Sequence, residues 1–552
     1  MSSFGILQSR HLEHVPGTVI LEADPELDNI TTAFKHGEGK FANVILVPQP
    51  STDPNDPLNY SATKKMAVLS ICCFGGILFA ATTGPLLNAA LALLVVEFEV
   101  SFTQVTKYVT GYQLLVVGIT GPVVSACSRK WGRRPVFLVS SIFGLIGSVV
   151  GSVTTSINGL LAARIIQGFS TSAYESVILT IIGDMFFVHQ RGFAASLVQF
   201  FIGTLTNLCT MIAGVIATHL NWRYCFYLMA MCSGLQLILL FLFVPETSFI
   251  RTNGTEANQL NEAADVKNAH AAHVENAAAA SPLHTTDTTS SSTPAPPKKT
   301  YLQELAVFTG THSDESFFHL LLAPFASCLN LAVLWVILLG GGYAAFTIAP
   351  LYVMSQIFSA PPYNLSAEGV GFLNIGPLIG GILATVLLSL VNDPIIGWAS
   401  RKNHGIYEPE FRLLILLLGC LTGPGVIAFG YLAENGDSYY ATSACHGVAM
   451  FGVTVVAVLT SNYILDAFRN LSNEVFISSM MFKNFLLFGM SYFINDVVAE
   501  NGPQYTFKWF GGTALVMMLT VPVVFVLGKV YRSYWHRHNI IEKLGLMTHS
   551  EL

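Results

Sequence analysis

Twelve apolar stretches, six on each side of a long polar break, constrain this chain more than any other feature. A helix rises about 1.5 Å per residue, so about 20 apolar residues cross the roughly 30 Å hydrocarbon core of a bilayer. Runs of that kind fall at 66–96, 105–127, 135–156, 158–183, 193–219 and 224–245. Six more fall at 329–357, 368–392, 411–432, 440–465, 473–498 and 507–531. Charged residues are 11% of the chain and hydrophobic residues 52%, whereas a soluble domain carries about a quarter charged residues. Lipid is therefore the solvent for most of the chain. The pattern predicts an all-α membrane protein with twelve transmembrane helices in two six-helix halves.

The division predicts an N-terminal tail at 1–63, a first half at 64–245, a linker at 246–318, a second half at 319–531 and a C-terminal tail at 532–552. The linker holds an Ala/Asn/His stretch (268–280) and the run TTDTTSSSTPAPPKK (285–299). Too little apolar area is present there to offset ordering entropy, so the expectation is disorder, with a short surface helix near 301–308. Lys64, Lys65, Arg129, Lys130, Arg133, Arg134, Arg191, Arg401, Lys402, Arg412, Arg469, Lys529, Arg532 and Arg537 fall on one set of loops. Glu97, Glu99, Glu434, Asp437 and Glu500 fall on the other. The positive-inside rule then puts both termini and the linker in the cytoplasm, in agreement with an even number of spans. Two joined six-span units suggest a duplicated fold with a cavity between them at mid-membrane, worked by alternating access.

Several segments carry a family resemblance. SRKWGRRPVFL (128–138) follows span two, LLAARIIQGFS (160–170) lies in span four, and VPET (244–247) closes span six. These resemble signatures of the major facilitator superfamily. DMFFVHQRG (184–192), GIYEPEFRL (405–413) and YILDAF (463–468) are similar to fungal members of its twelve-span drug:proton antiporter group, in the branch with polyamine and histidinol transporters. The resemblance implies the major facilitator fold. It also implies gating contacts at the cytoplasmic helix ends through Arg133, Arg134, Asp184, Arg191, Asp393 and Asp466. Arg129 stands about where the family's loop signature has an aspartate, so the latch that aspartate serves must differ here. The span-five segment GTLTNLCTMIAG (203–214) lacks the proline of the antiporter motif.

Charges at membrane depth cost about 2.5–3.5 kcal/mol on insertion scales and mark pathways. Arg164 and Glu175 lie eleven residues apart in span four, close to three turns, hence on one face and roughly 16 Å apart. Each needs another partner. Glu175 is the candidate proton-coupling or cation-binding carboxylate, and Arg164, which keeps its charge, a fixed cation beside Gln167 on the same stripe. Lys483 in span eleven and His446 in span ten are further candidates. Snorkelling to the cytoplasmic interface is the commoner fate of such a lysine, and packing that of such a histidine. Asn364 in Asn-Leu-Ser falls in an outer loop as a glycosylation acceptor, whereas Asn470 fits the same pattern on the cytoplasmic side.

A net charge of −6 offers no basic field for nucleic acid. The nine cysteines show neither metal-ligand nor disulfide spacing. No GxxxxGK[ST] loop and no paired HxxxH motif occur, so neither ATP drive nor an intramembrane enzyme is expected. The expectation is a secondary, proton-coupled transporter of a small organic solute without cofactor or metal, a monomer in the plasma membrane, favouring a cation such as a polyamine. The alternatives are an exporter of drugs or fungal secondary metabolites, and a non-transporting nutrient sensor.

Overall fold

The computed structural model describes residues 5–7, 15, 18–20, 50–51, 53–187, 194, 197–249, 297–403, 406–468 and 471–546. The first half contains α1 (Ala62–Thr82), α2 (Phe102–Trp131), α3 (Arg133–Val153), α4 (Ile157–Met185), α5 (Leu197–His219) and α6 (Trp222–Phe243). The second contains α7 (Leu331–Phe358), α8 (Ala367–Lys402), α9 (Pro409–Asn435) and α10 (Tyr439–Ala467). It closes with α11 (Ser472–Met490) and α12 (Ile494–Met518), which bends at Gly502 and continues as Val521–Arg537. All of these helices except α11 meet the length and apolarity needed to cross a membrane. Helix α11 is 19 residues long but carries Glu474, Lys483 and several Ser and Asn.

Local chemistry sets the helix starts. Ser61, Ser101, Ser156, Asn221, Asn330 and Ser366 each accept a backbone N–H of the first turn of the helix that follows, satisfying donors that have no intrahelical partner. Close packing follows from small residues. A Cβ on Gly380 of α8 would stand 2.0 Å from the carbonyl oxygen of Gly447 in α10, so only glycine allows this approach.

The two halves are wired alike. In the first, α3 packs on α4 and α6, α2 on α4, and α1 on α6; in the second, α9 packs on α10 and α12, α8 on α10, and α7 on α12. The halves meet through α2 with α11 and α5 with α8, which is again the same pairing seen from either side. This is the duplicated unit that the two sets of six spans predict.

Two features depart from the sequence expectations. The N-terminal tail reaches the second half: Leu7 N–H donates to Val526 O at 3.1 Å, and Val19 and Ile20 pair antiparallel with Tyr407 and Ile406. An unexpected helix, Phe317–Ser327, straddles the boundary at 318 and packs on α2 and α11. The linker's far end is tied to the first half: Lys64 pairs with Glu304 at 2.7 Å, at the end of the Tyr301–Glu304 helix, which falls within the short helix expected near 301–308. Residues 250–296, the bulk of the linker, lie outside the described residues. The nine cysteines are free.

Candidate functional site

At the face of the bundle that carries the linker, loop 2–3 and the end of α6 form one unit. The Glu246 carboxylate accepts the backbone N–H groups of Arg133 at 2.8 Å and Arg134 at 3.1 Å, an anion on a helix N-terminus. A Cβ on Gly132, whose φ is +101°, would lie 2.3 Å from that carboxylate. The buried Arg134 guanidinium donates to the carbonyls of Val244 and Phe241 at the end of α6. Arg133 Nε donates to Asp184 at 3.2 Å, tying the loop to the end of α4. The second half builds a related clamp in which the loop-to-final-helix contact has its charges exchanged and the Arg–Asp contact keeps them. Its loop supplies Glu408 and Glu410, and Arg532 of α12 bridges both at 2.9 and 2.7 Å, with Lys529 on Glu408. Arg412 donates to Asp466 at the end of α10 at 2.6 Å, where Tyr407 also donates.

Arg133, Arg134, Asp184 and Asp466, expected as contacts between the halves, therefore take these partners within their own half. Arg191 and Arg469 lie outside the described residues, as does the side chain of Asp393 in α8. The crossing contact at the linker face involves residues the motifs did not single out as a pair. Arg129 at the end of α2 donates to Glu474 at the start of α11 at 2.8 Å, with side chains 4% and 3% exposed. The Phe317–Ser327 helix adds to this seam, where Ser478 Oγ donates to Pro324 O at 2.6 Å. At the opposite face Thr103 donates to Asp496, Asn495 to Thr106, and His219 pairs with Glu368 at 2.9 Å. The halves are thus tied at both ends.

Between these ends lies a further crossing pair. Glu175 of α4 and Lys483 of α11 form an ion pair, and Asn484 Nδ2 donates to the other Glu175 oxygen at 3.4 Å. The side chains of Glu175 and Lys483 are 16% and 23% exposed, so this pair, unlike Arg129–Glu474, is only partly buried. Lys483 does not snorkel to the linker face: a carboxylate within reach holds it better than a long climb to water. Asn484 is fully buried, and its Oδ1 has no donor among the described residues.

Arg164 is not part of this cluster. It is fully buried in the first half, where Nη1 donates to Thr83 O at 2.6 Å and to Gln167 Oε1 at 3.1 Å, and its guanidinium lies over Phe226. Gln167 in turn donates to Ser148. Thr83 stands just past the end of α1, where carbonyls lack helical partners. His446 occupies the matching place in the second half: Nε2 lies 3.4 Å from Thr347 O of α7, and the ring packs on Phe429. Arg164 and His446 each stand twenty residues before the aspartate, Asp184 or Asp466, near the end of their helix. Asn364 is exposed in the loop between α7 and α8, whereas Asn470 lies outside the described residues.

Comparison with known proteins agrees with this architecture. The chain is 23% identical to protein HOL1 of Saccharomyces cerevisiae, covering 90% of this chain and 92% of HOL1. It is 23% identical to the "Probable drug/proton antiporter YHK8" of the same yeast, covering 91% of each. Its fold matches the xylose transporter XylE from E. coli in a partially occluded inward-open conformation, with a TM-score of 0.55 at 14% identity over 84% of this chain and 98% of XylE. The family model for the Major Facilitator Superfamily matches residues 72–473, which take in α2 to α10 and the loop motifs described above. With two like-wired six-helix halves meeting around a central ion pair, the chain belongs to the Major Facilitator Superfamily and is a multi-pass membrane transporter, not an enzyme.

Proposed function

We propose that this chain is a proton-coupled secondary transporter of a small organic solute, with Glu175 as the coupling carboxylate and an organic cation as the favoured solute. The single observation that carries this reading is the partly exposed Glu175–Lys483 pair, which joins the two halves away from the seams at either end. A rocking motion of one half against the other must change that contact, and a carboxylate there is neutralised by one proton. Arg164 is committed to Thr83 and Gln167 inside the first half, which withdraws the strongest cation that an anionic solute could use. The likeness to a protein named as a drug/proton antiporter supports proton coupling and keeps efflux as the competing direction. The basic loops support a cytoplasmic linker face, and exposed Asn364 would then be glycosylated on the opposite side.

The test is accumulation of a labelled panel of polyamines, organic acids and cationic drugs at pH 5 and 7.5. The host is a fungus lacking its own polyamine and drug transporters. The wild type is expected to change accumulation of a cation with a strong pH dependence, and Glu175→Gln to abolish it while still reaching the membrane. An unchanged pH response in Glu175→Gln would make Glu175 structural and remove the coupling role.

A further inference from the structure

The Glu175–Lys483 pair poses a question that the coupling role of Glu175 leaves open: what becomes of Lys483 when a solute arrives. This section rests on the reading of Glu175 given above. The ammonium of Lys483 and the amide of Asn484 take one carboxylate oxygen each, so the charge of Glu175 is already balanced from the other half. An arriving organic ammonium competes with Lys483 for that charge. Asn484 is fully buried and fixed, whereas Lys483 is the more exposed partner, on a flexible four-carbon stem.

Displacement by itself leaves two positive charges beside one negative charge at a mostly buried site, an arrangement that desolvation makes costly. Lys483 can relieve this because an ammonium can lose its proton, which a guanidinium cannot do in practice. We infer that Lys483 is a built-in stand-in for the substrate: its ammonium occupies Glu175 between transport events, and each amine that replaces it drives one proton off Lys483. Charge balances at each stage. Before binding the site holds one carboxylate and one ammonium; afterwards it holds one carboxylate, the substrate ammonium and a neutral lysine, with one proton released to water. Asn484 Oδ1 is buried without a donor among the described residues.

The other pair on α11 shows that the arrangement is particular to this site. Glu474 is matched by Arg129, in a contact 4% and 3% exposed. The closed seam uses the cation that keeps its proton, and the partly exposed one the cation that can release it.

The experiment compares Lys483→Arg and Lys483→Met with wild type. Each is purified in detergent and titrated with radiolabelled spermidine at pH 7.5 in weak buffer, with proton release followed by a pH dye; transport is followed in proteoliposomes. Wild type is expected to release about one proton for each ammonium group bound at Glu175. Lys483→Met, which removes the competitor, should bind spermidine about tenfold or more tightly. Lys483→Arg keeps the ion pair and hence the fold, but should bind at least about tenfold more weakly, release no proton and stop transport. Normal transport by Lys483→Arg, or loss of binding in Lys483→Met, would overturn the inference and make the pair a structural tie. Failure of the Glu175 reading is seen separately, as pH-dependent transport that survives Glu175→Gln whatever Lys483 does.

Discussion

The two halves share a framework and differ in what they bring to the centre. At the linker face each half clamps a loop between two helix ends, but the first half does so with basic loop residues and acidic Glu246, the second with acidic Glu408 and Glu410 and basic Arg532. Further in, Arg164 and His446 each lie against a threonine carbonyl, of Thr83 and Thr347. At the central pair the likeness ends: the first half contributes a carboxylate, the second an ammonium and an amide. Features that both halves repeat are those that any six-helix unit needs to stand. The feature with no counterpart is the one to which the proposed function assigns solute and proton.

That division can be broken in order of expected size. Arg532→Met leaves Glu408 and Glu410 buried with their bridging guanidinium gone. Removing one partner of a buried pair costs about 3–5 kcal/mol, so thermal unfolding of the purified protein should shift far down and little folded protein should survive extraction. Glu246→Gln in the first half keeps an acceptor for part of the backbone cluster, and the cost of weakening such hydrogen bonds is about 1–3 kcal/mol; its unfolding transition should drop less than that of Arg532→Met. A reversed order would show that the two clamps are not equivalent. Gly380→Ala forces a methyl against Gly447 O, and overpacking of this kind costs about 1–3 kcal/mol. It should lower stability and slow transport while leaving the pH dependence intact, since it lies in the framework and not at the central pair.

Much of this framework is written in local sequence. Apolar runs place the first eleven helix starts within four residues because a bilayer demands them wherever the chain later packs, but the run at 66–96 passes the end of α1 at Thr82 and that at 368–392 stops short of the end of α8 at Lys402. The partners of the charges are a different matter. Glu175 and Lys483 are separated by 308 positions, and only the seating of α4 against α11 brings them together; from span eleven alone, snorkelling is the natural expectation. Arg129 stands out as an unusual residue in a familiar loop, but its partner Glu474 looks like an ordinary acidic residue in a first helical turn. Arg133, Asp184 and Asp466 carry motifs that resemblance assigns to gating, and the contacts described above for them, Arg133–Asp184 and Arg412–Asp466, lie within one half each. The Phe317–Ser327 helix is too short for a span and too apolar for a linker, so periodicity and length both pass over it. The N-terminal residues that reach the second half form a short segment whose contacts lie hundreds of positions away.

The most direct measurement of the central claim is proton movement driven by an organic cation gradient in proteoliposomes, wild type against Glu175→Gln at equal, oriented incorporation. The account predicts a cation-dependent proton flux in the wild type that vanishes in the variant, with thermal unfolding of the two proteins alike. A Glu175→Gln protein that still exchanges protons for the cation at the wild-type rate would contradict it.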